Sequence, residues 1–275
     1  MERVKKRIVS VIANISAILI SLVVMIPIVV LVLNSFKSAG EANNMTLSLP
    51  RKWLFENFTI VVGQGKLISS FFNGMLYASV SVIITVLVVS AAAFVISRNC
   101  KGINKLIYYF IISGIAMPMN NIALMKVMQA LNLVNTRYGL ILLYAAINIP
   151  ISLFLSYGFI ATIPREIDEA AVIDGCTPVK LFTRIIAPLL KPIISTLFVL
   201  NFMSVWNDFI MPLYYLNNSK KWPMTLAVYN FFGAYENSWN LVSADIVLTL
   251  LPVLLIFIFG QKYIVGGVSA GAVKG

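Results

Sequence analysis

The chain has 275 residues, of which 60% are hydrophobic and 11% charged, and its formal net charge is +11. A water-soluble globule carries roughly 25% charged residues, so most of this chain is read as having the bilayer for solvent. The absence of histidine excludes Ser-His-Asp, Cys-His and His-ligated metal sites, and Cys100 and Cys176 form no CxxC pair, so no metal site is expected.

Arg3, Lys5, Lys6 and Arg7 precede an uncharged run at 8–33. A secretory signal has an apolar region of about 7–15 residues, so this longer run reads as a first span. Five more follow near 70–97, 106–130, 138–162, 193–217 and 241–263. Helices are expected because each satisfies its own backbone in lipid, and the alternation of a membrane β-barrel is missing. The expected fold is an all-α integral membrane protein, a single transmembrane domain over 1–275 with six transmembrane helices.

Between the first two spans lies a polar loop, 34–66, with Trp53 and Phe55 as interfacial anchors. Its Gly63-Gln64-Gly65-Lys66 is not a phosphate loop, since position 60 is Ile and Leu67 follows the lysine. The turn at 98–105 is basic. With both termini in the cytoplasm, thirteen Lys and Arg fall inside and eight outside, which favours that orientation. Basic residues confined to short loops between apolar runs indicate membrane lipid, and no nucleic-acid partner is expected.

The segment 163–191 is the most polar inside the chain. Pro164 suits a first helical turn, and Glu166, Asp168 and Glu169 complement the positive end of that helix's dipole. Ile167, Ala170 and Ala171 form one apolar stripe. Gly175 reads as a stop, Thr177 as the cap of a second helix with Pro178 at its first position, and Pro188 and Pro192 as its end. The product is a helix-Gly-helix elbow.

Glu169-Ala170-Ala171, then Asp174-Gly175, then Ile186-Ala187-Pro188, resembles the EAA loop of binding-protein-dependent ABC transporter permeases. Cys176 stands where that family usually has Ala, and Ala187 where it usually has Leu. Residues 131–136 (LNLVNT) with 139–142 (GLIL), Trp206-Asn207-Asp208-Phe209 with Pro212-Leu213, and the glycine-rich tail 270–275 resemble the maltose-type carbohydrate branch, and within it the second, six-span subunit. Ile151-Ser152 departs from that branch, which often has Pro-Phe there.

The resemblance implies a non-catalytic permease, half of a pathway for a sugar or oligosaccharide in a bacterial cytoplasmic membrane. It implies a second permease subunit, a cytoplasmic ATPase dimer and an extracytoplasmic solute-binding protein as partners. No cofactor is expected on this chain, ATP and Mg being held by the ATPase. By resemblance the ATPase-coupling residues are Glu169, Ala170, Ala171, Asp174, Gly175, Ile186 and Pro188, with a tail contact through Gly271, Lys274 and Gly275.

Polar residues inside the spans are pathway candidates. Asp208 is an acid well inside the fifth span, beside Trp206, an aromatic face for a sugar ring, and Asn207. The same three also read as interface anchors and a helix-bridging amide. Asn120 and Asn121 follow Pro118, which kinks the third span, and Tyr144 and Asn148 share a face of the fourth. Asp245 is read at the outer mouth, near a solvated Glu236. An intramembrane aspartyl protease using Asp208 and Asp245, a secondary transporter, and a permease for another solute such as glycerol phosphate are the rival readings. A phosphate would call for Arg or Lys inside the spans, and only Lys126 comes near.

Overall fold

A computed structural model describes residues 2–99, 101–231 and 238–272, with side chains described for 9–99, 101–231 and 238–262. Every regular element among them is helical. In chain order these are α1 (Glu2–Asn34), α2 (Ala39–Ala42), α3 (Glu56–Gln64), α4 (Leu67–Arg98), α5 (Gly102–Ser113), α6 (Asn121–Ala130) and α7 (Arg137–Ile160). They continue as α8 (Glu166–Ile173), α9 (Pro178–Lys180), a π-helical stretch Leu181–Ile186, α10 (Ala187–Leu189), α11 (Lys191–Asn207), α12 (Ile210–Tyr215), α13 (Met224–Ala227) and α14 (Trp239–Ala272).

Four helices are long and apolar enough to cross a bilayer: Val9–Asn34, Leu67–Arg98, Arg137–Ile160 and Trp239–Lys262. A fifth arises if Pro178–Leu189 and Lys191–Asn207, bent by 71°, count as one span. The expected third span, 106–130, is not one helix. It breaks between Ser113 and Asn121, where Gly114 caps α5 and Pro118 removes an N–H that a continuous helix would need. The expected fifth span is likewise interrupted, its helix ending at Asn207 rather than running to 217. These interruptions account for the difference between six apolar runs and four or five long helices.

The described chain forms two compact units. The first contains Met1–Ile68 and Ala227–Leu250. Within it, α1 from Val9 onward presents apolar side chains all round, and none of its most apolar stretch is buried. Beyond α1, the anchors expected at Trp53 and Phe55 gather with Phe58 around Phe36, at ring separations of 5.1 to 5.2 Å. A buried amide network joins the ends of this unit. Asn57 donates to the carbonyls of Ser35 and Lys37 (2.8 and 2.9 Å), and Asn240 donates to Asn57 Oδ1 (3.0 Å). Lys37, also buried, donates to the Thr46 carbonyl at 2.8 Å. Asp245 lies within α14, 1% exposed, and neither carboxylate oxygen has a hydrogen-bond partner among the described residues. Glu236 lies outside the described residues.

The second unit contains Ser69–Leu226 and Leu251–Gly275. Helix α7 is its axis. Its start is fixed by Thr136, whose hydroxyl accepts from Gly139 N (3.1 Å) and donates to the Leu133 carbonyl (2.6 Å). Small and hydroxyl residues let neighbours approach closely, as is usual between helices in lipid. Thr85 of α4 donates to the Ala145 carbonyl (3.3 Å), and Asn201 of α11 donates to Ser152 Oγ (3.0 Å). Gly260 of α14 faces Val199 of α11 so closely that an added Cβ would stand 2.8 Å from Cγ1. The irregular segment 216–222 is tied down through its carbonyls. Asn73 donates to those of Lys220 and Trp222 (3.0 and 3.2 Å), Tyr77 to that of Lys221 (2.7 Å), and the Trp222 indole to that of Leu216 (2.9 Å). Arg137 holds Asn73 in place from its oxygen side (3.1 Å), and Lys221 donates to the Asn135 carbonyl.

Candidate coupling loop and translocation cleft

The elbow follows α7. Glu166, Asp168 and Glu169 occupy the first turn of α8, where negative charge is favoured by the unpaired N–H groups. Pro164 sits ahead of the helix rather than in its first turn. At the other end Cys176 N donates to the Ala171 carbonyl (2.9 Å) and Gly175 N to that of Val172 (3.0 Å). This is a Schellman stop, and it requires the positive φ of +76° that Gly175 adopts. Thr177 then caps the next turn, accepting from Lys180 N at 3.4 Å, with Pro178 following. The continuation is π-helical through Ile186, and the chain turns by 71° into α11.

Burial divides the residues of this loop into two groups. Glu169, Ala170, Asp174, Gly175 and Pro188 are exposed, whereas Ala171 and Ile186 are buried and hold the loop to its own unit. The sequence reading overlooked Val172 and Ile173, which are 60% and 85% exposed, and it set Val179 on one apolar face with Phe182 and Ile186, whereas Val179 is 71% exposed and Ile186 is buried. Apolar side chains at the tip of an acidic helix, off its buried stripe, were the available signal. At the base, Arg98 ends α4 and reaches across: Nη2 donates to the Ile163 carbonyl (3.1 Å) and Nε lies 2.5 Å from Asp168 Oδ2. Arg165 returns a bond to the Ser97 carbonyl at 3.4 Å.

The second feature is a cleft of about 280 Å³, lined by Met119, Tyr144, Ile147, Asn148, Ser204, Asn207, Asp208 and Met211. Four residues picked from the sequence, Tyr144, Asn148, Asn207 and Asp208, therefore meet in one place. Asp208 lies in the break after α11, with extended backbone, and its side chain organises that break. Oδ1 accepts from Ile210 N (3.0 Å); Oδ2 accepts from Met211 N (3.2 Å) and from the Tyr144 hydroxyl (2.8 Å). Those bonds compensate the cost of a half-buried carboxylate. Asn148 donates to the Tyr144 carbonyl at 2.9 Å. Ser204 shares the helix face of Asn207 and Asp208, a spacing of three and four residues that would have revealed it.

Trp206 is elsewhere. It is 3% exposed, stacks on Phe202 at 5.8 Å and meets Phe71 edge-on, and a Cβ on Gly74 would touch its ring at 3.4 Å. The crevice it borders, with Tyr77, Tyr144 and Pro223, holds about 10 Å³, no more than one water. Asn120 caps α6 by accepting from Ile122 N and Ala123 N (3.1 and 3.0 Å), and the Asn121 carbonyl accepts from the Tyr215 hydroxyl at 3.4 Å. Neither lines the cleft, although Met119 does. Gly271 falls in the last turn of α14, and Lys274 and Gly275 lie outside the described residues.

A family profile described as "Binding-protein-dependent transport system inner membrane component" matches residues 98–269. The multiple sugar-binding transport system permease protein MsmG of Streptococcus mutans is 34% identical, over 92% of this chain and 93% of its own length. The melibiose/raffinose/stachyose import permease protein MelC of Bacillus subtilis is 33% identical over 91% of each chain. The diacetylchitobiose uptake system permease protein NgcG of Streptomyces coelicolor is 32% identical, over 94% of this chain and 86% of its own length. In fold, the chain is similar to one in the crystal structure of a bacterial ABC transporter involved in the import of the acidic polysaccharide alginate, with a TM-score of 0.81, 21% identity and coverage of 94% and 96%. With the match spanning both the elbow and the cleft, and relatives aligned almost end to end, the chain belongs to the family of binding-protein-dependent transport system inner membrane components: it is a multi-pass permease subunit, not an enzyme.

Proposed function

We propose that this permease forms half of the translocation pathway of an ATP-driven importer for a neutral sugar or oligosaccharide. A permease of this family works with other components of its transporter. Here these are a second permease subunit, a cytoplasmic ATPase dimer that supplies ATP and Mg, and an extracytoplasmic binding protein that delivers substrate. The chain itself holds no cofactor. Its termini and the elbow are cytoplasmic, and α5 and α6 together make a broken sixth crossing. The exposed apolar surface of α1 fits a span that lies against lipid and the second permease.

The carrying observation is the chemistry of the cleft. Asn148, Ser204, Asn207 and Asp208 offer hydroxyl-binding groups, and no Lys or Arg lines it. That suits a polyol and not a phosphate, which calls for cations. The names of the three relatives described above, each a sugar or oligosaccharide uptake permease, support the same substrate class. The coupling residues are Glu169, Ala170, Asp174, Gly175 and Pro188 at the surface, with Ala171 and Ile186 beneath them. Gly271, Lys274 and Gly275 add the tail contact.

The test is recovery of the tagged chain from mild detergent, with its companions identified by mass spectrometry, beside a Gly175→Asp variant. The expected result is an ATPase and a second permease with the wild type, and loss of the ATPase from the variant. The binding protein of that set is then screened against sugars. A chain recovered alone, or only with its own copies, refutes the importer reading.

A further inference from the structure

Arg98 and Asp168 are not among the coupling or cleft residues, yet they join two parts of the permease. Arg98 is the last residue of α4, and Asp168 stands beside Glu169 in the first turn of α8. Both side chains are about 85% buried, at 14% and 15% exposure. Three contacts cross the joint in both directions: Arg98 Nε to Asp168 Oδ2, Arg98 Nη2 to the Ile163 carbonyl, and Arg165 Nη2 to the Ser97 carbonyl. Arg165 acts on the Ser97 carbonyl in the last turn of α4, where a cation is favoured, and Arg98 on the Ile163 carbonyl in the turn between α7 and α8. The Arg98 guanidinium is aimed by its Nη2 hydrogen bond to the Ile163 carbonyl, while its Nε meets Asp168 Oδ2 as a close ion pair without hydrogen-bond geometry.

The far part of α4 borders the narrow crevice that shares Tyr144 with the cleft. Tyr77 borders the same narrow crevice as Tyr144 and Trp206, and Gly74 lies against the Trp206 ring. Tyr77 is about 31 Å from Arg98 along a continuous helix at 1.5 Å per residue. The helix between them has no proline, so no kink of that origin absorbs motion.

We propose that the Arg98–Asp168 pair is a positioning clamp that locks the coupling helix α8 to α4, so that displacement of the elbow is carried along α4 to the crevice beside Tyr144, a residue that also lines the cleft. This rests on the coupling role proposed above. Glu169 and its exposed neighbours meet the ATPase; Arg98 and Asp168 do not, and instead decide whether the movement is passed on.

The test uses the complete transporter, reconstituted with its ATPase, second permease and binding protein. Arg98→Gln, Asp168→Asn and the exchange R98D/D168R are compared with wild type for ATPase recovery, ATP hydrolysis and sugar uptake. The single variants are expected to retain the ATPase and to hydrolyse ATP, while uptake per ATP falls about tenfold because one partner is left uncompensated. The exchange is expected to restore most of that ratio, as a shared interaction does in a double-mutant cycle. A merely structural role would lower uptake and hydrolysis together. An unchanged ratio in the single variants, loss of the ATPase from them, or failure of the exchange to restore the ratio overturns the clamp. If a single variant does not fold, the exchange decides alone. A wild-type chain that recovers no ATPase refutes the coupling reading itself, whereas a wild type that pumps beside equally coupled variants refutes only the clamp.

Discussion

Two glycines of α7 predict opposite outcomes for the same substitution. A Cβ on Gly139 would stand 2.1 Å from the Leu133 carbonyl oxygen and 2.6 Å from Thr136 Oγ1. The obstacle is backbone and cap, so no flexible side chain can yield. Relief requires moving the turn in which Thr136 accepts from Gly139 N and donates to Leu133 O. Overpacking costs about 1–3 kcal/mol and a lost N-cap about 1 kcal/mol, against a gain of about 1 kcal/mol from alanine's helix propensity. The net expectation for Gly139→Ala is a loss of roughly 1–3 kcal/mol. Gly158, on the same helix, has nothing within 4 Å of its Cβ, so Gly158→Ala should gain up to about 1 kcal/mol. Thermal unfolding of the purified protein in one detergent reads both, at roughly 2–4 °C per kcal/mol for a chain approaching this size. Gly139→Ala melting at or above wild type would refute the reasoning, since only the clash separates the two sites. A shifted start of α7 also displaces Tyr144, so sugar uptake should fall with stability.

Tyr144→Phe and Asp208→Ala should each destabilise, by about 1–3 kcal/mol for a hydrogen bond to a charged group. The double variant should cost less than their sum because both remove the same 2.8 Å bond; strict additivity in thermal unfolding would count against the pairing. Gly260→Ala drives a Cβ against Val199 and should cost about 1–3 kcal/mol, part of which Val199→Ala recovers; a harmless Gly260→Ala contradicts the close approach. Gly175→Ala meets no neighbour, so its cost of about 1–2 kcal/mol comes from the left-handed backbone alone. Its melting should fall by about 2–8 °C and recovery of the ATPase should weaken; unchanged melting with full recovery would show that the turn tolerates a side chain.

What was legible in the sequence was what local chemistry fixes. Thr177 caps because a hydroxyl there meets free N–H groups, and Gly175 takes the φ that other residues resist. Apolar length disclosed α1, α4, α7 and α14, since the bilayer imposes it on a contiguous run. Continuity was less legible. No charged residue interrupts 106–125, but the hydrogen-bond ladder is broken around Gly114 and Pro118. Asp208 looked like a charge inside a span because its capping of the next turn depends on where α11 ends. Trp206 looked like a platform for a sugar because sequence gives no sight of Phe71, Phe202 and Gly74 enclosing it. Four cleft residues were found from polarity alone, and Ser204 was missed although its spacing to Asp208 was in plain view.

The tethered segment 216–222 has a consequence for how this protein can change over time. Loops ordinarily accept insertions because water satisfies their backbone. Here the carbonyls of Leu216, Lys220, Lys221 and Trp222 are claimed by particular side chains, several of them on α4. Adding one residue would shift each carbonyl out of register with its donor. A stretch that looks like a variable connector is therefore as length-constrained as a helix interface. Tags or grafted domains placed there should abolish expression, and lineages should preserve its length while its exposed side chains drift.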